Sequence, residues 1–172
     1  MSLHLIIDGY NLIRQSPELL AQEAQDLRWG REALLEKLAA YRRLKKHAIT
    51  VVFDGWETGE CLGDRDRFKG MLIIYSRRGE KADEVIKRIA DRERERCLII
   101  SSDRQIMDHV ERVGASAMSA EEFINRLHYA CVNDTDAEAE EDEIMWSGTK
   151  KKGPAHRDSK KLRRQRRRVK KV

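Results

Sequence analysis

Short apolar runs separated by stretches of helical spacing constrain this chain more than any other feature. LHLII, AITVVF, MLIIY and CLII are four to six residues long and built almost wholly of aliphatic and aromatic side chains, and ASAM is a shorter fifth. Continuous apolar runs of this length are the pattern of strands buried on both faces. When such strands alternate with helices, the sheet is parallel and covered on both sides. The expected fold is therefore α/β in three layers, with a central parallel sheet of about five strands and helices on both faces.

The intervening segments support this. The region after LHLIID reads as helical with an interruption near Pro17, and Leu34, Leu38 and Tyr41 recur at helical spacing along REALLEKLAAYRRLKK. GEKADEVIKRIADRERER turns Ala82, Ile86 and Ile89 inward, and DRQIMDHVERVG ends on Gly114 in a helix-stop position. Ser119 is placed to cap the helix AEEFINRLHYAC, with Glu122 three residues later as in a capping box. WETGECLGDRDRFKG is polar and too long for a simple connector, so a functional loop is expected there. No internal repeat is present. GxGxxG and GxxxxGK[ST] are both missing, which leaves dinucleotide and P-loop readings without their fingerprint.

The formal charge of +5 is unevenly spread over the 172 residues. Residues 1–133 carry 22 bases and 22 acids, residues 134–143 (DTDAEAEEDE) seven acids and no base, and residues 150–172 thirteen bases against Asp158 alone. The expected organisation is a folded domain over 1–133, an acidic linker over 134–149 and a basic, mobile tail over 150–172 that seeks nucleic acid. Cys61, Cys97 and Cys131 are far apart and contain no CxxC pair, so neither a disulfide framework nor a zinc site is expected; Cys97 reads as the start of a buried strand. There is no basic-then-apolar leader and no apolar run of the ~20 residues needed to span a bilayer, so a cytoplasmic protein without a membrane partner is expected.

Four aspartates fall where the strands deliver them to one edge of the sheet. Asp8 ends LHLII, Asp54 ends ITVVF, Asp103 follows CLII and two serines, and Asp83 lies in the first turn of the helix after MLIIY. In open parallel sheets ligands bind outside the carboxyl ends of the strands. Converging carboxylates repel, and hard oxygen ligands suit Mg²⁺ or Mn²⁺. An aspartate at a strand end also caps the next helix, so each one alone is ambiguous. Gly9 permits unusual backbone angles in DGYN, and Asn11 can turn its amide toward the same edge. Ser101 and Ser102 are placed to hydrogen-bond carboxylates or a phosphate, or simply to pack, and Arg104 to meet a phosphate or only solvent. Arg77, Arg78 and Lys81 stand at the rim, with Arg65, Arg67 and Lys69 in the loop. Tyr10 and Trp56 offer surfaces for stacking on unpaired bases, or else pack in the core. The five histidines form no cluster.

IIDGYNLI, VVFDG, SRRGEKADEVIKRIA and IISSDRQI, in this order, resemble the YacP-like branch of the NYN domain family, within the PIN-like, FLAP-nuclease-related superfamily. The resemblance spans about residues 3–131. It implies a parallel sheet in the order 3-2-1-4-5 and a hydrolase, an endoribonuclease using Mg²⁺ or Mn²⁺, associated with mRNA turnover and in some members with the ribosome and its rRNA. The family's acidic site maps onto Asp8, Asp54, Asp83 and Asp103 as metal ligands, with Asn11 alongside; Arg77, Arg78, Lys81, Ser102 and Arg104 are the expected substrate contacts. The chemistry is consistent, because divalent ions activate water and stabilise the leaving oxygen in phosphodiester hydrolysis. The rival expectation is a non-catalytic RNA- or ribosome-binding adaptor. A phosphatase is disfavoured, since Asp8 is followed by Gly9 and Tyr10 rather than by a second aspartate of a DxDx[TV] motif.

Overall fold

The alternation of apolar residues along each central strand sorts them onto two cores. In β1 (His4–Asp8), Leu5 and Ile7 face one layer and Ile6 the other. In β2 (Ala48–Phe53), Val51 and Phe53 join the first and Val52 the second. The computed structural model, from which these contacts come, describes residues 3–55, 65–133, 166, 168–170 and 172. Trp56, Cys61, the acidic linker and most of the basic tail lie outside the described residues.

After β1 come α1 (Gly9–Gln15) and α2 (Pro17–Glu23), separated at Ser16 with Pro17 in the first turn of the second helix, where its missing N–H costs nothing. The long helix α3 (Leu27–Lys45) leads into β2. Next are β3 (Arg65–Phe68), β4 (Met71–Tyr75), α4 (Ala82–Glu93), β5 (Cys97–Ile100), α5 (Arg104–Val113), β6 (Ser116–Met118) and α6 (Ala120–Asn133). The sheet order is β3-β4-β2-β1-β5-β6, and every pairing is parallel except β3 with β4. The five parallel strands thus stand in the expected order. Helices α1, α3 and α6 supply Leu12, Leu34, Leu38 and Phe123 to one core, while α4 and α5 supply Val85, Ile86, Ile106 and Val110 to the other.

One expectation is corrected at the sheet edge. The polar segment after β2 is not a loop to its end, because residues 65–68 form the antiparallel edge strand β3. The hairpin closes through Lys69 and Gly70, both at positive φ (45° and 81°), the backbone that a two-residue turn between twisted strands requires. Arg65 and Arg67 are exposed there, as suits an edge strand kept soluble by charge.

The far end of the basic tail packs on the domain. Val172 is buried, its carbonyl accepting from the Tyr41 hydroxyl at 2.9 Å, and Val169 packs against the same core. The Val169 carbonyl also accepts from Arg126, while Arg168 donates to Ser116 Oγ at 3.2 Å and pairs with Glu95 at 2.8 Å. The two valines stand three apart, enough to give one helical turn an apolar face amid the bases. Ser116 opens β6 and Glu95 precedes β5, so this end is anchored at the amino edge of the sheet. Deleting residues 166–172 is expected to lower the unfolding free energy by about 2–3 kcal/mol, the scale of burying two valines. Urea denaturation of the two forms measures it; equal midpoints would mean that the docked turn contributes nothing.

Among the described residues no helix is long and apolar enough to cross a membrane. Cys97 is buried at the start of β5, and burial, aided by the neighbouring Glu93, pushes its thiol up to about 12, so it behaves as a small apolar side chain.

Candidate active site

Because the five strands are parallel, the helices that return between them start at the carboxyl edge. Four helices do so here, and polar side chains receive their first N–H groups. Asp8 caps α1, accepting from the Asn11 N–H at 3.2 Å. Asp103 caps α5, accepting from Gln105 and Ile106 at 2.7 and 3.1 Å. Asp54, just past β2, accepts from the Ala82 N–H at 2.7 Å and so receives the start of α4 from a different segment. Ser102 Oγ takes the Ala120 N–H of α6 at 3.1 Å. The helix-capping reading of these aspartates is therefore realised, but three caps facing one edge also gather three carboxylates. Asp83 adds a fourth from the first turn of α4.

Two serines lock this edge. Ser76, the residue after β4, donates to Asp54 Oδ1 at 3.2 Å and accepts from Gly55 N–H at 3.1 Å. Ser101, the residue after β5, donates to Asp8 Oδ2 at 3.0 Å and accepts from Asp103 N–H at 3.1 Å. Both are fully buried or nearly so. Each outer strand thus hands a hydroxyl to the aspartate of the strand beside it: β4 to β2, β5 to β1. Ser101 was an even choice between packing and carboxylate contact in the sequence; Ser76 was missed. The signal was present, because MLIIYS and CLIIS share a serine at the same position after the apolar run.

Asn11 acts through another residue. Its side-chain oxygen accepts from Ser102 N–H at 2.8 Å, tying the turn after β1 to the turn after β5. Ser102 thus serves the edge twice, its N–H toward Asn11 and its hydroxyl oxygen toward the Ala120 amide. Arg77, Arg78, Lys81 and Arg104 are all exposed around the edge. Tyr10 does not face a ligand: it is buried edge-on against Phe53, with ring centroids 5.2 Å apart. Gly9 is helical with no positive φ, and the requirement for glycine is space instead, since a Cβ there would come within 2.2 Å of the Phe53 ring. His4 bonds Glu93 and Thr50 at the far end of β1, and His109 bonds Asp91, so neither joins the aspartates.

The electrostatics of the edge are strained in one direction. Burial, opposed by the Asn11 and Ser101 hydrogen bonds but aided by the charges of Asp83 and Asp54, lifts Asp8 from 3.8 to about 6. Asp83 is raised too, by burial first and then by Asp103, with Asp54 adding to it. Carboxylates that repel one another in this way accept a hard dication well, and the donor set, all oxygen, matches Mg²⁺ or Mn²⁺. Among the described residues, however, no three His, Cys, Asp or Glu side chains gather closely enough to hold one ion between them. The fit is to an ion held by one or two carboxylates with water completing its shell, the usual habit of Mg²⁺.

A sequence profile of the YacP-like NYN domain matches residues 5–169, reaching past the expected end at 131 to Val169 of the terminal turn. The chain belongs to the YacP-like NYN domain family. The NYN family is nuclease-like in kind. The uncharacterized protein YacP of Bacillus subtilis is 30% identical over 86 residues, a stretch that spans 50% of this chain and 50% of that protein. Crystal structures of Rae1 (YacP) from the same organism superpose with TM-scores of 0.67 for a variant and 0.62 for the other form. Each is 24% identical, covering 79% and 80% of this chain and 80% of the matched one. At that identity they establish the fold, which is PIN-like.

Because the folded Asp8 titrates above 3.8, the stability it contributes is complete below about pH 4 and is lost as pH rises through about 6. A shift of that size corresponds to about 3 kcal/mol. Asp8→Asn keeps a capping oxygen for Asn11 and should remove this dependence, leaving the variant more stable than the parent at pH 7 in chelator. Unfolding free energies measured from pH 4 to pH 7 for both proteins check this; parallel profiles would refute the burial of a charge at Asp8.

Proposed function

We propose that this protein is a divalent-metal-dependent endoribonuclease that hydrolyses RNA phosphodiester bonds in the cytoplasm, acting in mRNA turnover in contact with the ribosome. The observation that carries the reading is the convergence of Asp8, Asp54, Asp83 and Asp103 on one sheet edge, with the first two locked by Ser101 and Ser76. Membership of a nuclease-like family supports the reaction class. RNA as substrate, the ribosome as partner and the metal are parts of the proposal.

Asp8, Asp54, Asp83 and Asp103 would hold Mg²⁺ or Mn²⁺, directly or through water, and the ion supplies water activation and charge stabilisation at the phosphodiester. The protein's own share is orientation. Ser76 and Ser101 fix the rotation of the two central carboxylates, and Asn11 holds the loop that carries Asp103, so the acidic groups are set before substrate arrives. The buried Asp8 gains a partner for its charge only when a cation is near, which couples folding energy to loading of the site. Arg77, Arg78, Lys81 and Arg104 surround the edge and attract the polyanionic substrate without joining the carboxylates.

A second reading, a non-catalytic RNA- or ribosome-binding adaptor, is favoured by one observation: no three carboxylates among the described residues form a ready coordination cluster. A single experiment separates the two. Purified protein with labelled RNA should cut it in Mn²⁺ and not in chelator, and Asp83→Asn should lower the rate at least about a hundredfold with the fold intact by circular dichroism. Equal cleavage by parent and variant, or none with either metal, would favour the adaptor.

The rim makes a separate prediction. Arg77→Ala combined with Arg78→Ala is expected to weaken RNA binding about tenfold and to leave single-turnover cleavage at saturating RNA within about twofold of the parent. A large loss at saturation would instead put one of these arginines among the catalytic groups.

A further inference from the structure

Two hollows flank the layer formed by α4 and α5, and their charges differ. One, of about 520 Å³, sets Arg104 against Asp108 and Glu111. The other, of about 300 Å³, runs beside α4 over β2 and β4 and is walled by Arg65, Arg77, Arg88 and Arg92, with Glu80 as the acid that lines it. Its floor includes Leu72 and Ile74, which remain partly exposed because α4 covers β1, β2 and β5 more closely than the outer strand β4. Val85 and Ile89 lie against that floor, and Arg88 and Arg92, four residues apart, share one rim of the helix. At the other end Arg77 follows Ser76 directly, and Ser76 holds Asp54. The groove therefore begins at the acidic edge and leads away along α4.

We propose that this groove is the track for single-stranded RNA entering the acidic site, with Arg88 and Arg92 binding phosphates and the apolar floor receiving unpaired bases. This rests on the nuclease reading of the acidic edge. Both arginines are solvent-facing, with side chains 67% and 71% exposed, and their present partners are Glu80 and Glu93. Glu80 and Glu93 are themselves mostly buried, at 17% and 19%, and each pair engages one nitrogen of its guanidinium. A phosphate adds charge-assisted bonds to the rest of the fork, and guanidinium is the cation best matched to its oxygens. An aliphatic floor beside a cationic rim suits a strand whose base faces are free, which a duplex hides. The other hollow, with two acids to one base, repels the same ligand.

The test uses the full chain carrying Asp83→Asn, so that RNA persists during binding, with and without Arg88→Gln plus Arg92→Gln. An unstructured, end-labelled RNA of about twelve nucleotides is titrated at several salt concentrations, beside a trinucleotide too short to leave the acidic edge. The double substitution is expected to weaken the long RNA about tenfold and to flatten its log-affinity against log-salt slope by about 1.4, the loss of two single-strand phosphate contacts. Trinucleotide affinity is expected to stay the same. Unchanged affinity and slope for the long RNA would overturn the proposal. So would an arginine requirement confined to an acidic peptide of the sequence DTDAEAEEDE, which would make the groove a protein-binding surface. If the Asp83-intact protein cuts no RNA yet arginine-dependent binding is seen, the track stands and the nuclease reading falls.

Discussion

The carboxyl edge of this sheet depends on negative charge held against helix N-termini. Parallel strands force the returning helices to begin at one edge, each with unpaired N–H groups and a positive dipole end. Asp8, Asp54 and Asp103 satisfy amides of α1, α4 and α5, and Ser102 satisfies α6. These contacts tie the four crossover loops into one rim. They also concentrate carboxylates beyond what the local amides neutralise, as the raised Asp8 shows. Stability and chemistry thus use the same groups in opposite senses. Capping favours the aspartates one by one, and their proximity penalises them together.

The serines after β4 and β5 resolve part of that conflict. A hydroxyl rotates, donating to a carboxylate while accepting from an amide, and both do so: Ser76 between Gly55 and Asp54, Ser101 between Asp103 and Asp8. An alanine in either place would take the serine bond from the carboxylate, leaving Asp54 with the Ala82 amide and Asp8 with the Asn11 amide. The equivalence of the two arrangements follows from the sheet order, since β4 borders β2 and β5 borders β1. What remains uncompensated is net charge, the one thing hydroxyls cannot cancel and a cation can.

The strand pleat accounts for the side on which the site opens. Asp8 shares the parity of Ile6, which packs under α4 and α5, and Asp54 shares that of Val52. Asp54, Asp83 and Asp103 meet the starts of those two helices while Asp8 caps α1, and the arginine groove alongside α4 belongs to the same layer. The opposite layer, built by α1, α3 and α6, is the thicker core and carries the docked Val169 and Val172.

Much of this was legible in the chain. Continuous apolar runs dictated buried parallel strands, the aspartates at their ends dictated where charge would gather, and Gly114 and Ser119 marked helix ends that are observed as such. These are local signals, set by periodicity and by a residue's own backbone. Others depended on partners far away in sequence. β3 is a strand because Ile73 and Leu72 lie beside it, not because RDRF is apolar. Tyr10 is a core residue because Phe53 meets its ring, and Gly9 is glycine because that same ring leaves no room. The last turn of the basic tail meets Tyr41 and Arg126, which offer a hydroxyl and a guanidinium to its carbonyls. Periodicity and local backbone preference set which residues form strands and helices and which ends are acidic. Which neighbour each side chain meets, and so which aspartate receives which helix, was left to long-range packing, because those contacts join segments that periodicity treats as independent.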